Sequence, residues 1–245
     1  MANFSYLYPY SRSDARSMNE EQRWQDSFRN NVQCARDIEQ IITRFYDEDT
    51  NQLNPGCAET ILEKWGFQRT KFVLANTLAQ ELPQYVHQFG QENQAWCQQV
   101  YVPPDGRYNR YFTVDRGIGL TDSFIAQTRE AYQVLGLFGP EHCEGNKHEQ
   151  DFTGKVLVLS PDTLRESCWT SRNQLWYGEG GFGCSPTASG RAVYATCLGD
   201  GEQIRWNRAD FTGVLKEEFL PDWAREKLEE IQAPKQDGPQ MCGMG

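Results

Sequence analysis

Long apolar runs are missing from this chain of 245 residues. None approaches the roughly 18 residues that a membrane-spanning helix needs, so no membrane partner is expected. Histidine is scarce, at 3 residues, and no two cysteines stand at the C-x(2–4)-C spacing of structural zinc sites. No metal site and no cofactor is expected. A basic surplus is missing as well. Lysine and arginine total 24 against 34 acidic residues, for a formal net charge of −10. The acids are spread along the chain, with 13 basic and 19 acidic residues through Gly145 and 11 and 15 beyond it. A general phosphate-backbone binder carries a basic stripe, so charge does not favour nucleic acid as the partner. Met1-Ala2-Asn3-Phe4 lacks the charged and apolar regions of a signal peptide. The 8 cysteines therefore read as reduced thiols of a cytoplasmic protein.

What is present is aromatic. The hydrophobic fraction is only 38%, but aromatics make up 13%, and each buried ring removes roughly 150–250 Å² from water. Arginines outnumber lysines 17 to 7, which suits planar, bidentate and stacking contacts.

The leading portion reads as helical. After a turn or short helix at Ser11–Asp14, Asn19 and Gln22 have capping-box spacing. Trp24, Phe28, Val32, Ala35, Ile38, Ile42 and Phe45 then recur at steps of three and four, predicting one apolar face over Asn19 to Tyr46. Asn54-Pro55 reads as a cap and first turn, with Ala58, Ile61, Leu62 and Trp65 as a stripe and Gly66 as a stop. Further helices are predicted from Thr70 to before Pro83, over Gln91 to Val100, and from a cap at Thr121 or Asp122 to Gly136. His87 falls in a polar turn, and Tyr111 to Asp115 reads as a brief strand.

Beyond Gly145-Asn146-Lys147-His148-Glu149-Gln150-Asp151 the period changes to two. Strands are predicted over Lys155–Leu159, Gln174–Tyr177, Arg191–Leu198, Glu202–Asn207 and Gly213–Lys216, with a turn at Gly199-Asp200-Gly201 and a helical turn at Ala209–Phe211. The expected fold class is α+β: a mainly helical N-terminal domain at 1–144, a linker at 145–154, and a small SH3-like β-barrel with a C-terminal helix at 155–232. A flexible Pro/Gly-rich tail is expected at 233–245.

No catalytic set stands out. Gly178, Gly180 and Gly183 match G-x-G-x-x-G, but a dinucleotide site needs a helix right after the glycines, and Cys184-Ser185-Pro186 follows instead. His142 and Cys143 adjoin, which leaves a Cys/His-dependent enzyme as an alternative that requires a spatial pairing. The residues expected to bind a partner are Trp176, Tyr177, Phe182, Arg191, Arg205, Asn207 and Arg208, since small barrels recognise peptides or nucleic acid through aromatics beside arginines. The plainer reading is that the tryptophans fill the core and the arginines solvate it, because Trp206 alternates with Arg205 and Asn207.

Tyr6-Leu7-Tyr8-Pro9, Phe72-Val73-Leu74-Ala75-Asn76-Thr77 and Gly136-Leu137-Phe138-Gly139-Pro140-Glu141-His142-Cys143 resemble an uncharacterised domain family of accessory proteins carried on bacterial conjugative and phage-like elements. Val156-Leu157-Val158-Leu159 through Trp206-Asn207-Arg208 to Pro221-Asp222-Trp223-Ala224 resembles the small β module that follows it. The resemblance implies a mobile-element setting and no catalytic residues. The function expected is therefore a non-catalytic interaction protein with a protein partner. Its sharper form is a counter-defence, anti-CRISPR-like inhibitor that docks on a host nucleic-acid-handling protein. A nucleic-acid-binding accessory protein reading through the barrel aromatics is the alternative.

Overall fold

The computed structural model describes residues 7–233, so the expected tail lies almost wholly outside the described residues. The chain divides into two compact units, Met1–Leu135 and Gly136–Gly245.

Unit 1 is helical, as the three-to-four spacing requires. α1 (Arg12–Ser17) is closed by a capping box of Ser11 and Asp14. α2 (Glu21–Phe45) buries Trp24, Cys34, Ala35, Ile38, Ile41 and Ile42. The cap predicted at Asn19 does not form. Asn19 is left-handed at φ 58°, and the helix begins after Glu20 without a side-chain cap. A two-residue hairpin, β1 (Tyr46–Asp47) and β2 (Gln52–Leu53), follows. α3 (Cys57–Gln80) starts from left-handed Gly56 rather than from the Asn54-Pro55 cap. It is broken at Gly66 (φ 77°, ψ 169°), where a side chain would be strained, so the predicted stop is a kink between two helical stretches. α4 (Pro83–Val86) takes up the turn assigned to His87, and α5 (Gln91–Gln98) follows. The strand predicted at Tyr111–Asp115 is absent, because a 3-10 helix over Gly106–Phe112 claims its first half. α6 (Ile118–Val134) starts earlier than its expected cap. Thr121 lies buried in the first turn, and Gly136 ends the helix at φ 59°.

α3 packs against α2 and α6 and forms the centre of this unit. Its polar residues are buried too. Arg69 is 2% exposed and donates to the Ser27 carbonyl at 3.1 Å and to Asn31. Asn76 and Asn109 are joined at 3.0 Å, which ties α3 to the 3-10 segment. Such pairing is what makes a buried polar group tolerable.

Unit 2 is a five-stranded antiparallel sheet. Its strands are β3 (Val156–Leu159), β4 (Leu175–Gly180), β5 (Ala192–Cys197), β6 (Gln203–Asn207) and β7 (Phe211–Val214), in the order β6-β5-β4-β3-β7. α7 (Ser171–Gln174) leads into β4, a 3-10 turn over Arg208–Asp210 joins β6 to β7, and α8 (Asp222–Gln232) ends the unit. Two cores lie on opposite faces. Leu157, Leu159, Trp176, Val193, Ala195, Cys197 and Phe211 fill one. Val156, Val158, Leu175 and Tyr177 meet Ala224, Trp223, Leu228 and Ile231 of α8 on the other. This is the period-two alternation of a strand buried on both sides.

The expected barrel is present only as this open sheet, since among the described residues no ladder joins β6 to β7. The stretch 145–154, expected as a linker, is built into the unit. Phe152 is fully buried and its N–H donates to the Cys184 carbonyl at 3.0 Å. The preceding residues run along β7, with Glu144 N–H on the Val214 carbonyl at 2.8 Å and Lys216 N–H on the His142 carbonyl at 3.0 Å.

Candidate functional site

The residues singled out in the sequence separate into core, clamp and surface. Trp176 is 3% exposed. Its indole donates to the Asn173 carbonyl at 2.8 Å, and its ring meets Trp206 edge-on at 5.1 Å. Tyr177 is half-buried beneath α8. Both side chains serve packing.

Arg208 is a clamp. One guanidinium nitrogen donates to the Gly183 and Cys184 carbonyls at 2.8 and 2.9 Å, and the other to Lys147 and Gln150. The group also covers the Phe152 ring. Its donors are thereby committed inside the unit, and burial pulls its pKa below the ordinary arginine value. Asn207 is exposed, but its side chain accepts from Ala209 N–H at 3.0 Å and so caps the 3-10 turn.

Phe182, Arg191 and Arg205 remain on the surface, with Phe182 77% exposed. To them the structure adds Tyr194, 52% exposed and directly opposite Arg205 across the β5–β6 ladder. The signal for Tyr194 was present in the alternation: it stands between Val193 and Ala195, both core residues. Gln203 occupies the same face of β6, and its amide reaches the Glu179 carboxylate at 3.2 Å. That carboxylate also accepts from the Thr196 hydroxyl at 2.5 Å. Among the described residues neither Arg191 nor Arg205 has an ion-pair partner.

The glycine motif is explained by close backbone approach. A Cβ on Gly178 would stand 2.2 Å from the Phe152 carbonyl oxygen, and one on Gly183 would stand 2.4 Å from the Arg191 backbone. Gly178 and Gly180 belong to β4 and no helix N-terminus follows Gly183, so the pyrophosphate cradle is absent here.

His142 and Cys143 do not pair with each other. The His142 Nδ1 accepts from Gly139 N–H at 2.9 Å, and its ring packs edge-on against Phe138 and Phe219. The Cys143 thiol points to the Gly139 carbonyl at 3.6 Å, and burial pushes its pKa up to about 11. A thiol so placed is a poor source of thiolate at neutral pH. Among the described residues no cluster of His, Cys, Asp or Glu could hold a metal ion, and no helix is long and apolar enough to cross a membrane.

A family model described as "protein of unknown function (DUF3849)" matches residues 7–133. The chain belongs to that family. The DUF3849 match ends within two residues of the boundary of unit 1, so the sheet of unit 2 lies outside the matched region. No curated protein and no solved structure matches the chain.

Proposed function

We propose that this DUF3849 protein is a non-catalytic interaction protein that docks on a protein partner through the outer face of β5 and β6 and the neighbouring loop. One observation carries the reading. Phe182 and Tyr194 are exposed beside two arginines that have no ion-pair partner among the described residues, whereas the Cys143 thiol and the His142 imidazole are engaged in contacts within the unit. Aromatic and arginine side chains are the usual anchors of protein interfaces. The strand order β6-β5-β4-β3-β7, with a helical turn before the last strand, supports reading unit 2 as an SH3-like barrel, a scaffold for peptide recognition. The mobile-element setting implied by the sequence supports the sharper form, a counter-defence inhibitor on a host nucleic-acid-handling protein. The net charge of −10 suits a basic partner surface elsewhere on that protein.

Site-specific photocrosslinking tests this. A benzophenone side chain placed at Phe182 or Tyr194 is expected to capture the same protein. One at Val134, an exposed position in unit 1, should not. Arg205→Glu should abolish the adduct, and Tyr194→Ala should lower partner affinity by about tenfold or more while leaving the thermal midpoint unchanged. Adducts no different from those at Val134 would overturn the reading. Adducts to nucleic acid would replace it with the nucleic-acid alternative.

A further inference from the structure

The two edges of the β-sheet are finished differently. The outer edge of β7 is covered by residues 142–144, through Glu144 N–H on the Val214 carbonyl, Lys216 N–H on the His142 carbonyl, and the bridge of Cys143 with Leu215. Among the described residues β6 pairs with β5 alone.

The register says which groups of β6 are left over. Cys197 N–H reaches the Glu202 carbonyl at 2.8 Å, and Arg208 N–H reaches the Arg191 carbonyl at 2.8 Å. These two bonded pairs bracket the ladder, and bonded and non-bonded pairs alternate along antiparallel strands. Ile204 and Trp206 therefore spend their backbone groups on β5. Gln203, Arg205 and Asn207 aim theirs outward. Asn207 N–H is already taken by the Asp210 carboxylate at 2.8 Å. Among the described residues nothing takes the N–H and C=O groups of Gln203 and Arg205, and both residues are exposed. Exposed edges of this kind recruit strands unless something covers them.

We propose that the β6 edge is a strand-addition site, and that its occupant is an extended segment of another protein with an acidic side chain opposite Arg205. This rests on the docking surface proposed above and names the mode of contact. The chemistry follows from the pleat. A residue bonded to Arg205 across the new ladder projects its side chain on the same face as Arg205 and Tyr194. Arg205 has no ion-pair partner there among the described residues, so a carboxylate is the complementary group. The residues flanking that carboxylate project to the other face, beside Ile204 and Trp206 at the rim of the core, where apolar side chains extend the cluster. The recognised pattern is thus apolar–acidic–apolar. A second copy of this chain is the poorer occupant. Pairing centred on Arg205 sets two guanidinium groups face to face, and each copy carries a charge of −10.

The test uses the full chain, labelled with nitrogen-15, and two capped heptapeptides, one alternating valine with glutamate and one alternating valine with lysine. The glutamate peptide is expected to slow hydrogen exchange at the Gln203 and Arg205 amides by about tenfold or more. The lysine peptide should leave them unchanged, and Arg205→Glu should reverse the preference. Gln203→Pro removes one outward donor at an edge position that tolerates proline, and should weaken the glutamate peptide without unfolding the sheet. No protection, or protection indifferent to peptide charge, overturns the proposal. Protection that grows with protein concentration in the absence of peptide assigns the edge to self-association and overturns it as well. If crosslinking at Tyr194 captures a protein while the Gln203 and Arg205 amides keep exchanging, strand addition falls and the docking surface stands.

Discussion

The guanidinium carbon of Arg208 sits 3.9 Å from the centre of the Phe152 ring. The cation lies on the ring face while its N–H groups reach carbonyls at Gly183, Cys184, Lys147 and Gln150. One side chain thereby joins the glycine loop, the segment before β3 and the end of β6. The planar fork is essential to the arrangement, because an ammonium cannot address carbonyls in two directions while stacking on a ring.

Arg208→Lys should therefore destabilise unit 2 by about 2–4 kcal/mol, the range for losing several charge-assisted bonds and stranding buried carbonyls. Urea denaturation followed by tryptophan fluorescence reads this. A midpoint equal to that of the wild-type chain would show that the clamp contributes nothing.

The glycine motif makes a paired prediction. Gly178→Ala forces a methyl group to within 2.2 Å of the Phe152 carbonyl oxygen, and backbone on both sides must move. The cost should be about 3 kcal/mol, the upper range for overpacking. Gly180→Ala meets nothing within 4 Å and should be tolerated at under about 1 kcal/mol. Equal melting temperatures for the two variants would contradict the architectural role of the motif.

The buried thiols set an alkaline limit. Burial pushes Cys34, Cys57 and Cys97 up to about 12, whereas an unfolded thiol titrates near 8.5. Between those values the folded chain keeps protons that the unfolded chain has lost. Stability is therefore fully present below about pH 8.5 and falls as pH rises toward 12, by about 1.4 kcal/mol per pH unit for each thiol. Urea midpoints measured on either side of that onset should decline less steeply for Cys34→Ala than for the wild-type chain. Parallel slopes would mean that Cys34 does not hold its proton. Iodoacetamide at neutral pH should label exposed Cys168 well ahead of Cys143.

Element positions were largely legible from the chain. Hydrophobic spacing placed α2, both stretches of α3, α5 and all five strands of unit 2 to within a few residues. Local chemistry was less legible. Asn19 has capping-box spacing yet adopts the left-handed conformation at the end of α1, because the same side chain suits either place. The polar stretch before β3 has the composition of a linker, but polarity does not reveal that Arg208 will bind its carbonyls. The alternation around Tyr194 pointed outward, between Val193 and Ala195, but Trp176 lies in the unbroken apolar run Leu175-Trp176-Tyr177, where spacing does not say which sheet face it takes.

The sequence by itself determined the change from helix to strand period, the glycine breaks and the acidic charge, since each is a property of neighbours along the chain. Among the described residues, tertiary structure decided which arginine is a clamp and which has no ion-pair partner, which edge of the sheet is covered and which is not, and where the thiols lose water. Those outcomes depend on contacts between residues far apart in sequence, and spacing along one chain does not encode them in readable form.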